Sequence, residues 1–157
     1  MNISDLLKPA AVIVSLKAQG KKHLLQEVAV RAAQVTRLAE RKIFETLMER
    51  ERLGTTGVGQ GIAIPHGRLA DIEEIVGVFA RLEAPIDFNS VDNQPVDLVF
   101  MLLAPETAGA DHLKALARVS RLLRNQAATE KLRAAKSTEA LYAILTDTTG
   151  SSGAQAA

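Results

Sequence analysis

Two nearly continuous apolar runs, residues 75–82 and 96–103, constrain the fold more than any other feature of the chain. A strand with one solvated face alternates apolar and polar residues, whereas one covered on both faces does not need to. Both runs lack that alternation, so they are expected to be interior strands with other layers packed above and below. Ala84-Pro85 and Asn93-Gln94-Pro95 read as the turns that punctuate them.

The flanking segments supply those layers. A short β-type run at residues 11–14 opens the fold, and Gly20 precedes a helical stripe of Leu24, Leu25, Val28, Ala32 and Val35. Thr36 is placed to cap a second helix that turns Ala39, Ile43, Phe44, Leu47 and Met48 inward, with Gly54 as its stop. Beyond Pro105, Asp111 is expected to cap a helix with Leu113, Leu116, Ala117, Ser120 and Leu123 on one stripe. Another helix follows Ser137 and buries Ala140, Leu141, Ile144 and Leu145. Helices before and after strands that are apolar on both faces imply an α/β fold, a three-layer α/β/α sandwich with a mixed central sheet. The 157 residues, 47% of them apolar, suffice for one such core. One domain over residues 1–147 is expected, with the small, polar residues 148–157 as a disordered tail.

Composition removes several classes of function. The chain has no cysteine, which excludes disulfides, thiolate metal sites and cysteine nucleophiles. Nineteen basic against eighteen acidic residues leave a net charge of +1, without the basic excess of a nucleic-acid binder. Aromatics at 3% offer no stacking platform for single strands. No run of 18 apolar residues could span a bilayer, so no membrane insertion is expected. The start, Met1-Asn2-Ile3-Ser4-Asp5, has no basic segment leading into an apolar one, and the expected location is the cytoplasm. Three histidines without an i,i+4 pair give no metal site.

The chemistry concentrates in Gly54-Thr55-Thr56-Gly57-Val58-Gly59-Gln60-Gly61-Ile62-Ala63-Ile64-Pro65-His66-Gly67. Its glycine density suggests a nucleotide loop, but the Lys-Ser/Thr of a P-loop is missing and the third position after Gly59 is Ile62 where a dinucleotide fingerprint needs Gly. No nucleotide or other cofactor is expected. Gly61-Ile62-Ala63-Ile64 reads as a short strand ended by Pro65, presenting His66 on a turn just beyond it. Gly67 would let a partner approach the imidazole closely. A Pro-His-Gly turn by itself favours a histidine of no special role.

Three stretches resemble the signature of the bacterial phosphotransferase-system IIA domains of the fructose–mannitol superfamily, nearest to the nitrogen-regulatory branch, IIA-Ntr. They are Arg50-Glu51-Arg52-Leu53-Gly54-Thr55-Thr56-Gly57 through Gly61-Ile62-Ala63-Ile64-Pro65-His66-Gly67; Pro85-Ile86-Asp87-Phe88 through Asp92-Asn93-Gln94-Pro95-Val96-Asp97-Leu98; and His112-Leu113 with Leu116 and Leu122. The resemblance implies that His66 accepts a phosphoryl group on Nε2 from a small histidine phosphocarrier (of the NPr or HPr type), and that Arg50 and His112 stabilise it. The chain would then be a transferase-class phosphotransfer protein with a covalent phosphohistidine and no small-molecule turnover of its own. Imidazole suits the task, since its ordinary pKa of about 6.5 leaves a nucleophilic nitrogen at neutral pH.

His23, with no motif around it, reads as a solvated structural residue. The runs Arg50-Glu51-Arg52 and Glu130-Lys131-Leu132-Arg133 read as solvated faces, and Arg68 as a basic residue near His66 able to meet a partner. Ile62, Ala63 and Leu69 are candidates for an apolar docking patch. Three functions remain open: a regulatory phosphocarrier acting on transporters or sensor kinases, a sugar-specific IIA component passing phosphate to a IIB domain, and an interaction module never modified at His66.

Overall fold

A computed structural model describes residues 1–147; the expected tail at 148–157 lies outside the described residues. Two short 3-10 turns, Ile3–Asp5 and Pro9–Ala11, lead into β1 (Val12–Leu16). Then come helices α1 (Lys21–Thr36) and α2 (Glu40–Arg52), and strands β2 (Gly57–Gly59), β3 (Ile62–Ala63), β4 (His66–Leu69), β5 (Val76–Ile86) and β6 (Val96–Pro105). Helices α3 (Gly109–Arg124), α4 (Gln126–Ala134) and α5 (Thr138–Leu145) complete the order.

The strands form one sheet in the order β1-β5-β6-β3-β2, with β4 also pairing β6. The sheet is mixed: β1 runs parallel to β5, β5 antiparallel to β6, and β6 parallel to β3 and β4. Every residue of β6 is buried except Asp97, which is half-buried. Phe79 and Phe100 face each other across the β5–β6 ladder with ring centroids 6.2 Å apart in edge-to-face contact. Helices α1 and α2 pack on each other and against β5 and β4, whereas α3, α4 and α5 form a second set against β6 and β1. The α/β architecture and both long strands are therefore as the sequence implies.

The structure corrects several local expectations. Ala84-Pro85 is not a turn, because β5 runs through it to Ile86; the pairing slips register between Arg81 and Ile86, where an exposed Pro85 that lacks an N–H is tolerated. Thr36 does not cap α2. It ends α1, its hydroxyl donating to the Ala32 carbonyl and accepting from the Leu38 N–H, while an exposed Ala39 stands at the start of α2. Asp111 is the third residue of α3 rather than its cap, which is Ala108. The buried stripe of α3 is His112, Ala115, Val119 and Leu123, so Ala117 and Leu113 (65% exposed) face outward. Ser137 does cap α5, accepting from the Ala140 N–H.

In the run at 130–133, part of α4, Glu130, Lys131 and Arg133 are exposed as expected, but Leu132 is buried and Arg133 forks onto both oxygens of Asp97 at 2.9 Å. Arg81 gathers the carbonyls of Leu132 and Ala135 at the end of that helix, where unpaired carbonyls need donors.

Gly67 is buried, and a Cβ there would stand 2.5 Å from Cγ2 of Thr46 on α2. The missing side chain thus lets α2 close on β4; it does not admit a partner. Gly67→Ala is expected to cost about 1–3 kcal/mol in urea unfolding, the usual penalty of overpacking. Adding Thr46→Ser, which removes the clashing methyl, should recover much of that loss.

Candidate functional site

The pairs Ile62↔Leu98 and Ala63↔Val99 of β3 continue in one register into His66↔Leu102 and Arg68↔Ala104 of β4. β3 thus stops before Pro65 as expected, but the ladder resumes in the same register at His66 and does not give way to a turn. The Pro65 carbonyl still accepts from the Leu102 N–H at 2.9 Å, and only the missing N–H interrupts the ladder. His66 is the first residue of β4, half-buried, and not on a turn. Period-two alternation puts His66 and Arg68 on one face of the strand and the buried Gly67 and Leu69 on the other.

His66 Nδ1 lies 2.8 Å from the Ile64 carbonyl. A carbonyl only accepts, so Nδ1 carries the proton and Nε2 the lone pair. Burial lowers the His66 pKa from its ordinary 6.5; the Ile64 carbonyl opposes that shift, the Arg50 charge adds to it, and the Glu51 charge opposes it. Across neutral pH the ring is uncharged, with its lone pair on Nε2.

His112, from the first turn of α3, places its ring edge-on to that of His66 with centroids 5.6 Å apart. It is buried, and its Nδ1 accepts from Nε of Arg68 at 3.2 Å. Its Nε2 is buried with no hydrogen-bond partner. Burial lowers its pKa as well, with smaller contributions from His66 and Arg68.

Arg50, in the last turn of α2, is near enough to act on His66 through its charge, while Nη1 donates to the Gly54 carbonyl at 2.9 Å and ties the helix end to the glycine segment. Its neighbour Glu51 corrects the reading of a solvated face. It is buried, paired with Lys21 at 3.0 Å, and accepts from both the N–H and the hydroxyl of Thr56. The sequence held a signal for this, because Glu51 continues the Ile43–Leu47 spacing by four. The same holds for Arg68, two residues along a strand from His66.

The glycine segment itself is a hairpin. Gln60 and Gly61 both have positive φ (59° and 81°), as the tight turn between β2 and β3 requires, and a Cβ at Gly61 would meet Arg133 at 2.7 Å. His23 lies in the first turn of α1, where Nδ1 accepts from the Gln19 N–H and Nε2 is 3.5 Å from Glu27. Among the described residues, no three His, Asp or Glu side chains converge as metal ligands would. Ile62, Ala63 and Leu69 are all buried, so they form no docking patch; the strands use them as core. Near the site residues in the chain, Leu53 (85% exposed), three residues after Arg50, and Leu113 (65%), next to His112, are exposed apolar side chains.

Residues 5–148 match the family described as phosphoenolpyruvate-dependent sugar phosphotransferase system, EIIA 2, and the chain belongs to it. A nitrogen regulatory protein of Bradyrhizobium diazoefficiens is 59% identical over 145 residues, which span 92% of this chain and 95% of that one. The crystal structure of the nitrogen regulatory protein IIA-Ntr from Neisseria meningitidis superposes with a TM-score of 0.87 at 36% identity, over 92% of this chain and 99% of that one. The mannitol IIA enzyme of Escherichia coli, solved in complex with phosphorylated mannitol IIB, shares the fold alone (TM-score 0.75, 18% identity, 89% and 98% covered). No helix among the described residues is long and apolar enough to cross a membrane.

The two lowered histidine pKa values carry a sign. Just below about pH 6.5 the unfolded chain binds protons that the native site refuses, so stability rises with pH through that window and is lost on acidification. The thermal midpoint should drop as the pH falls below about 6.5, and His112→Gln, which does not titrate, should flatten that dependence.

Proposed function

We propose that the chain is a cytoplasmic phosphocarrier of a nitrogen-related phosphotransferase system, with residues 1–147 acting as one domain. His66 takes a phosphoryl group from a small histidine phosphocarrier, and the resulting state regulates target proteins such as transporters or sensor kinases. One observation carries the reading: a half-buried imidazole with its lone pair on Nε2 stands beside a second, buried imidazole whose Nε2 has no partner. The Nε2 lone pair of His66 bonds to phosphorus as the bond to the carrier's imidazole breaks, and that ring leaves with the electron pair. Positive charge developing on the His66 ring is relieved through the Nδ1–H bond to Ile64. His112 and Arg50 supply donor and charge for the phosphoryl oxygens, so the chemistry is one of positioning and charge stabilisation. The nitrogen regulatory relatives favour regulation, since a group carrying about −1.5 to −2 charge at a surface makes or breaks interfaces.

The mannitol neighbour, bound to a phosphorylated IIB, supports a second reading in which phosphate passes on to a sugar-specific IIB domain. Efficient transfer from the phosphorylated chain to such domains would favour that alternative.

His66→Ala should abolish phosphorylation by the upstream carrier, read as loss of the one-phosphoryl increase in intact mass. Arg50→Ala and His112→Ala should still be phosphorylated, more slowly, by less than the ~100-fold that losing an enclosed donor can cost. The adduct should be acid-labile and base-stable. Acid-stable phosphate persisting in His66→Ala would instead point to Thr55 or Thr56, whose hydroxyls donate to Phe88 and Glu51. Leu113→Asp should slow phosphorylation with little change in thermal midpoint, because Leu113 is exposed and next in the chain to His112, and the carrier is proposed to dock over that helix end.

A further inference from the structure

We propose that Arg68 is a positioning residue that locks His112 into the tautomer carrying its proton on Nε2, and so makes His112 a hydrogen-bond donor to a phosphoryl group on His66. The inference rests on the reading of His66 as phosphoacceptor and adds a residue to which no role in that chemistry has been given.

A guanidinium has five N–H donors and no acceptor, so the ring nitrogen facing it must present a lone pair. At 3.2 Å from Nε of Arg68, that nitrogen is Nδ1 of His112. A neutral imidazole with its lone pair on Nδ1 has its proton on Nε2. The imidazolium form would put a second positive charge beside the guanidinium on a ring that is itself buried, and burial, His66 and Arg68 all act against it. One protonation state remains. Its N–H is buried without a partner, an arrangement proteins seldom leave in place without a use. The unpartnered donor belongs to a ring 5.6 Å from that of the nucleophile.

The clamp is built into the strand. His66 and Arg68 stand two residues apart on one face of β4, whose partner β6 leads through a short link into the first turn of α3 and His112. His66 is held in the opposite tautomer by Ile64, so one ring offers a lone pair at Nε2 and the other a proton at Nε2. Exchanging the His112 proton to Nδ1 would turn a lone pair toward the phosphoryl oxygens and convert a donor into a repelling neighbour.

Side-chain nitrogen NMR of the folded protein, above the ordinary histidine pKa of about 6.5, tests this directly. Wild-type His112 should show a bare Nδ1 and a protonated Nε2; a proton on Nδ1 in the wild type would overturn the proposal without recourse to any variant. In Arg68→Met the pattern should give way to mixed tautomers or to the imidazolium, whereas Arg68→Lys, which keeps a donor, should largely restore it. The phosphorylation rate or adduct lifetime of Arg68→Met should fall about tenfold, the lower end of what losing an orienting partner costs a functional histidine. An unchanged tautomer in Arg68→Met, or a changed tautomer with unchanged transfer and lifetime, would each sink it. If wild-type His66 took no phosphate while His112 showed the expected protons, the phosphoacceptor reading would fail and the clamp itself would stand.

Discussion

A ten-residue strand with one half-buried position, β6 can exist only if both faces are covered and both edges paired. Its apolar side chains demand helices above and below, and its backbone N–H and carbonyl groups, shut off from water, demand neighbours on either side. β5 takes one edge and the continuous β3–β4 run takes the other. The candidate site is a by-product of that arrangement. Register on β6 sets His66 opposite Leu102 and Arg68 opposite Ala104, and the chain leaving β6 turns within a few residues into α3, which carries His112 back over them. Nothing in the site hangs on a free loop.

The apolar runs were legible because burial on both faces erases the alternation a half-exposed strand would show. The helices were legible from their stripes, but their starts were not. Thr36 and Asp111 are good capping residues that the fold uses otherwise, one closing α1 and the other sitting inside the first turn of α3. Pro65 and Pro85 look like breaks in sequence, whereas a proline removes one ladder bond and leaves its carbonyl available, as Pro65 shows. On α3 the expected stripe is half right: Leu116 and Leu123 pack on the core, Leu113 and Ala117 face out, and the smaller Ala115 and Val119 take the buried positions between. His66, His112 and Arg50 were found through family resemblance, and the structure brings the two imidazoles together. Their protonation could not be read from sequence, since it depends on which backbone carbonyl and which guanidinium happen to face each ring.

Charge around the site is arranged with economy. Glu51, the one buried carboxylate among the described residues, is satisfied by Lys21 and by two donors of Thr56, so α1, the end of α2 and the glycine hairpin are joined through a single side chain. A buried ion pair of this kind adds little net stability, because desolvation offsets attraction, yet losing one partner is costly. Its effect is to hold the hairpin and Arg50 in a fixed relation to His66 while leaving that ring uncharged.

Helix α3 is preceded at its cap position by Ala108, which makes no side-chain cap bond to the first turn. Alanine is among the poorest residues at that position, so the opening turn lacks the anchor that Asn125 gives α4 and Ser137 gives α5. His112 rides in this turn, its own N–H bonded to the Ala108 carbonyl. Fraying there would withdraw one imidazole from the other while β6 and its neighbours stay intact. The protein can thus lose the pairing of its two imidazoles on warming before it loses its shape, and amide exchange at His112 would mark the onset ahead of any global transition.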